Sequence, residues 1–191
     1  MRPRWIIRFP TAVVGLLLLA TVCSLAQNKR ETMRGNVWHP GEEWPIVRRL
    51  TITIDSQSSA EDQQILVEAF EKGGNKASVK ALEKMPTRGH IYIRGLSGKG
   101  YAVSYLKVWP TAKGRDIRLI TSRKIPLEGG RSPDYTVSAV ELHMSSDRTG
   151  RFSKGQLYLA CQLGVSKEEK EIEINPLQEP MSIGFMIDWR E

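Results

Sequence analysis

Residues 100–125, GYAVSYLKVWPTAKGRDIRLITSRKI, hold the densest strand pattern in the chain, two apolar-rich runs around the turn-forming segment 110–115. Tyr, Val, Ile, Thr and Trp suit a pleated, half-buried surface, so the stretch predicts a β-hairpin with a longer loop. In its first run Tyr101, Val103, Tyr105 and Trp109 fall on one face, with Lys107 among them. Ala102, Ser104, Leu106 and Val108 fall on the other. Apolar residues on both faces predict a strand covered on both sides, at the centre of a sheet.

Weaker strand patterns lie on either side. Residues 50–55 (LTITID) alternate apolar and polar, and 90–94 (HIYIR) set Ile91 and Ile93 on one face. Downstream, strands are predicted over 135–144, 152–163, 171–174 and 181–189. In the second of these Leu157, Leu159, Cys161 and Leu163 share a face.

Between 55 and 90 the period changes. Ser58 and Glu61 have the spacing of a capping box. Ile65, Leu66, Ala69 and Phe70 then recur on one helical face as far as Lys72, and Gly73-Gly74 offers a left-handed stop. A second short helix over 76–84 sets Val79, Leu82 and Met85 inward and ends at Pro86.

Short connections favour antiparallel neighbours. The predicted class is therefore α+β: a mostly antiparallel, curved sheet or sandwich of about eight strands, with a two-helix hairpin inserted after the first strand. The three glycines of 95–100 lack the strand-to-helix setting and the lysine of a phosphate-binding loop, and read as a hairpin turn. In residues 27–49 Pro and Gly break every period, so the stretch reads as a linker or N-terminal arm carrying Trp38 and Trp44.

The first 26 residues are of another kind. Arg2, Arg4 and Arg8 precede an apolar run over 11–22, and Ser24-Leu25-Ala26 puts small residues where a signal peptidase reads them. That layout predicts a signal peptide over 1–26, cleaved between Ala26 and Gln27, and a protein exported to the periplasm or beyond. The competing lipid-anchored form would use Cys23, but the bulky Val22 stands where a small residue is expected. The expected organisation is a leader (1–26), an arm (27–49) and one domain (50–191).

The leader also changes the charge and cysteine arguments. The chain has 28 Lys and Arg against 21 Asp and Glu, but three of the arginines and no acid lie in the leader, which leaves the remainder at +4. So modest a balance is weak ground for nucleic-acid binding. Of the two cysteines only Cys161 lies beyond the leader, so the domain has no internal disulfide and depends on its apolar core.

The order RGHIYIR, GYAVSYLKVWP, DIRLITSRKI and YTVSAVELHM resembles a family of exported bacterial proteins with no assigned function. Its members show a two-helix segment ending in Leu-Pro, a Gly-Tyr strand with a second aromatic, a Leu-Ala-Thr-Asp-Arg-Pro-Ile-like strand and a Val-Ile-Glu-Leu-like strand. The counterparts are Met85-Pro86, Tyr101 and Tyr105, residues 119–125, and residues 139–142. Ser122 stands where the family has Asp, and Lys124 where it has Pro. The resemblance covers roughly residues 50–163 and implies export and a shared fold, without an activity.

Candidate chemistry is sparse. His39, His90 and His143 stand at no recognised metal-ligand spacing, so neither a metal nor a cofactor is expected. Glu141 and His143 share a strand face, an acid beside a base, although alternating polar positions on a solvated strand look the same. Cys161 sits in a leucine-rich face and reads as a buried, inert thiol.

Tyr105, Trp109, Arg118 and Arg123 would form a cationic, aromatic surface for an anionic glycan or lipid. The plainer alternative pairs Arg123 with Glu141 across strands. The leading expectation is an exported, non-catalytic binding or structural module. The alternatives are a hydrolase-type site assembled from Glu141, His143 and Arg123, and an anionic-surface binder using the 101–124 hairpin. Partners are unidentified beyond an envelope protein or anionic glycan, with no clear nucleic-acid partner and no transmembrane segment after the leader.

Overall fold

The computed structural model describes residues 30–41, 46–126, 135–146 and 153–185. The expected leader, with its expected cleavage site at Ala26 and Gln27 and with Cys23, lies outside the described residues. Among the described residues nine strands and one helix occur in the order β1 (Glu31–Trp38), β2 (Arg48–Ile54), α1 (Ala60–Leu82), β3 (Gly89–Ile93), β4 (Tyr101–Thr111), β5 (Gly114–Thr121), β6 (Val137–Ser145), β7 (Lys154–Val165), β8 (Ile172–Pro176) and β9 (Met181–Phe185).

Each strand from β1 to β7 pairs antiparallel with the next, and β9 pairs with both β7 and β1. The sheet therefore closes on itself as an eight-stranded antiparallel barrel. This corrects the expected α+β curved sheet or sandwich: a closed barrel has no central strand, and the β4–β5 hairpin supplies two of its eight strands.

β8 and β9 occupy successive stretches of the same edge of β7, with 161–165 facing β8 and 154–157 facing β9. Pro176 and Pro180 flank the gap between them, and a residue without an N–H cannot continue a ladder. Leu177 N–H donates to the Ala160 carbonyl at 3.1 Å and holds the gap against β7.

The barrel is filled. Every one of its eight strands sends apolar side chains inward, among them Val37, Leu50, Ile91, Leu106, Leu119, Leu142, Leu157 and Ile183. Alternation of this kind closes small barrels around a packed core. A second apolar layer lies outside, where Leu66, Val67, Val79 and Leu82 of α1 cover Tyr105, Ile120, Ala139, Cys161 and Ile172. The two-sided pattern of β4 thus has its explanation: one side is barrel interior, the other lies under α1.

Local differences have local causes. The helical segment is a single element, α1, broken where the sequence put a stop: Gly73 and Gly74 leave helical geometry, Gly74 at φ +61°, and the helix resumes after them. Its capping box is Ser59 with Asp62, one residue later than the spacing suggested. Ser58 instead reaches β4, its N–H donating to the Leu106 carbonyl at 2.8 Å and its Oγ accepting from Leu106 N–H at 3.0 Å.

A bulge between Val103 and Tyr105 puts Val103 inside the barrel and Tyr105 outside, where strict alternation had them on one face. The hairpin turn is also tighter than expected, since Thr111 pairs with Gly114 across two residues. β1 lies within residues 27–49, the stretch read as an arm. Its inward residues Met33 and Val37 flank Gly35, which hides the alternation. An ideal Cβ on Gly35 would come within 2.6 Å of the Gly184 carbonyl oxygen, so the close approach of β1 to β9 requires glycine there.

Candidate functional site

The register of β4 to β7 builds two rows on the outer wall. Lys107, Arg118, Glu141 and Gln156 stand side by side in one, and Trp109, Asp116, His143 and Lys154 in the next. Neighbours in these rows, 7 to 27 positions apart in sequence, are thereby brought within side-chain reach.

Arg118 is the hub. Its Nε and a terminal nitrogen lie 2.8 and 2.7 Å from Glu141 Oε1, and its other terminal nitrogen donates to the Ile172 carbonyl. The guanidinium also lies over the Trp109 ring, 5.4 Å from its centroid. Tyr158 Oη is 3.0 Å from Glu141 Oε2 and 2.6 Å from Gln156 Oε1, so its single proton serves one of them at a time.

Lys107 Nζ, one strand over, lies 2.5 Å from Glu171 and 3.1 Å from Gln63 Oε1 on α1. Gln63 donates in turn to the Lys170 carbonyl at 3.0 Å. Barrel wall, helix and the β7–β8 connection are therefore joined by one polar network.

Burial shapes the titration of its neighbours. Desolvation, helped by the negative charge of Glu171, pushes the Tyr105 phenol up to about 12. Tyr158 is raised further above the ordinary tyrosine value, by burial and then by Glu141. Burial and Glu141 also push the Cys161 thiol up to about 12, so it is a protonated, inert core residue at neutral pH. Its Sγ donates to the Val137 carbonyl at 3.4 Å.

Of the residues singled out in the sequence, Tyr105, Trp109, Arg118 and Glu141 come together. Arg123 does not join them: it is exposed beyond the end of β5, where its carbonyl accepts from Thr121 Oγ1 at 2.6 Å. The acid suggested as its partner, Glu141, pairs with Arg118. His143 faces outward two residues from Glu141 but engages Asp116, Nδ1 to Oδ1 at 2.9 Å.

Gln63, Gln156, Tyr158 and Glu171 were not singled out from the sequence. Gln156 and Tyr158 alternate with the leucines of β7, a signal that becomes readable once the β6–β7 register is known. Among the described residues no group of three or more His, Cys, Asp or Glu is placed to hold a metal ion. No helix among them is long and apolar enough to cross a membrane. Comparison with protein-family models, with curated proteins and with solved structures finds no match in any of the three.

Proposed function

We propose that the protein is an exported, non-catalytic binding or structural module of the periplasm or extracellular space. The observation that carries this reading is the filled barrel: all eight strands pack apolar side chains inward, so a partner meets the outer surface rather than an interior cavity. The outer network supports it, because Arg118, Glu141, Lys107 and Glu171 spend their charges on one another. Export rests on the leader pattern of residues 1–26 and on the resemblance to exported bacterial proteins.

The intact mass of the recovered protein tests export, with residues 27–191 expected and retention of the leader contradicting it. Capture of envelope components by the tagged protein tests the module reading. Retention is expected to survive Glu141→Gln and His143→Ala; a hydrolytic turnover that either substitution abolishes would overturn it.

A second reading has one specific observation behind it. His143, held by Asp116, lines a shallow depression of about 480 Å³ with Thr111, Lys113, Met144 and Ser145. An imidazole oriented by a carboxylate is the arrangement of a general base. A hydrolase-type site would centre there, with Asp116 rather than Glu141 as the acid beside His143. Chromogenic ester and phosphoester turnover lost in His143→Ala would support it, and turnover unchanged in that variant would remove it.

A further inference from the structure

The outer wall of β1, β2 and β3 contrasts with the network under α1. Its outward positions are Arg34, Asn36, Arg49, Thr51, Tyr92 and His90, with Arg94 just past the end of β3. Arg94 N–H donates to the Arg49 carbonyl at 2.9 Å, which sets the two arginines opposite each other on neighbouring strands. Like charges directly opposite on a sheet are unfavourable.

None of Arg34, Arg49 and Arg94 pairs with a carboxylate among the described residues. The described acids nearest along these strands, Glu31 and Asp55, lie at the opposite end and are engaged by Arg115 and Arg30. Glu42 and Glu43 belong to the β1–β2 connection, outside the described residues.

At the arginine-rich end the chain also exposes two large apolar residues in succession, Ile46 at 63% and Val47 at 57%, immediately before Arg48 and Arg49. Lys99, in the β3–β4 connection, is exposed.

We infer that this face, Arg34, Arg49 and Arg94 with Ile46 and Val47 at its rim, is a docking surface for an anionic phospholipid bilayer. The inference deepens the module reading and rests on it. Unpaired cations supply attraction to acidic headgroups, and exposed apolar side chains gain by leaving water for the acyl boundary. Either signal alone gives weak, reversible attachment, and the two together stabilise it. Tyr92, opposite Thr51 and on the same strand face as Arg94, has the amphipathic character favoured at an interface. A soluble polyanion would use the arginines but would have no use for Ile46 and Val47, which is why the bilayer is the occupant the face favours.

The test is co-sedimentation of the full chain with vesicles of pure phosphatidylcholine and of phosphatidylcholine with phosphatidylglycerol, at low and moderate salt. Every variant carries the same leader, so differences between variants belong to the face. Binding to the anionic vesicles is expected to fall about tenfold or more in Arg49→Glu/Arg94→Glu. Ile46→Ser/Val47→Ser is expected to lose the part of binding that survives moderate salt. Lys80→Glu/Lys84→Glu, an equal double charge reversal at the exposed C-terminal end of α1, is expected to bind as the unaltered chain does. Circular dichroism confirms that each variant is folded.

Equal binding by the Arg49→Glu/Arg94→Glu variant would overturn the proposal. So would tight binding to heparin or single-stranded DNA that ignores Ile46→Ser/Val47→Ser and exceeds binding to vesicles. Failure of the chain to bind vesicles overturns this inference alone, whereas hydrolytic turnover lost in His143→Ala overturns the module reading.

Discussion

Arg118 illustrates what one residue is asked to do on this barrel. It sits outward on β5 with 18% of its side chain exposed, against a Glu141 side chain 25% exposed, too buried for either charge to stand alone. Arg118→Ala leaves Glu141 beside Tyr158 with no counter-charge and is expected to cost about 2–3 kcal/mol. In thermal denaturation that corresponds to a fall in Tm of roughly 5–10 °C. Arg118→Met/Glu141→Met removes both charges and is expected to recover most of the loss, because an apolar pair of similar size carries no stranded ion.

The buried phenols make a second prediction. Tyr105 ionises at about 12 in the native barrel and near 10 in the unfolded chain. Between those values the unfolded state has released a proton that the native state keeps, so this contribution to stability is present below pH 10 and lost as pH rises towards 12. Absorbance at 295 nm should show Tyr105 and Tyr158 still protonated at pH 11 in the folded protein. Full phenolate signal at that pH from a still-folded sample would contradict it. The residue types of this network were legible in the sequence: Tyr105, Trp109, Arg118 and Glu141 all stood out. The pairing was not, because assigning Glu141 to Arg118 rather than to Arg123 requires the β5–β6 register, set by contacts between residues 19 to 31 positions apart.

Individual elements obey their local signals to within a residue or two, and tertiary contacts decide the remainder. The start of α1 is one case. Ser59 Oγ accepts from Asp62 N–H at 3.1 Å, and the Asp62 carboxylate accepts from Ser59 N–H and from Arg88. Ser59→Ala is expected to cost about 1 kcal/mol. Asp62→Ala also strands Arg88, whose side chain is 20% exposed, and is expected to cost about 3 kcal/mol. Equal losses in urea denaturation would mean that the Arg88 pair contributes nothing.

The preceding Ser58 resembles a cap in the sequence because serine suits either place; only the bulged β4, which needs partners for Leu106, selects the other role. β1 is the opposite case, an element whose signal is weak for a structural reason. Gly35 interrupts its alternation because β9 passes too close for a side chain. Gly35→Val is expected to separate β1 from β9 and to leave the α1-covered wall of β4 to β7 folded, which amide exchange would resolve strand by strand.

At the scale of the whole molecule, the antiparallel strands and the covered β4 were readable from the chain, and closure was not. An open sheet and a barrel share the same alternation. What separates them is one pairing, β9 on β1, between segments some 150 residues apart, together with the two prolines that split β8 from β9 on a single edge. Closure decides the functional reading, because it turns eight apolar faces into a filled interior and leaves binding to the outer wall.

Amide hydrogen exchange in β1 and β9 tests it most directly. In a closed barrel residues 35–37 are flanked by β2 and β9, and residues 182–184 by β1 and β7, so successive amides in both strands are hydrogen-bonded and slow. The closed barrel predicts uniform protection along both stretches, comparable to β4 and β5. Fast exchange at every second amide of β1 and β9 would reveal two open edges and contradict it.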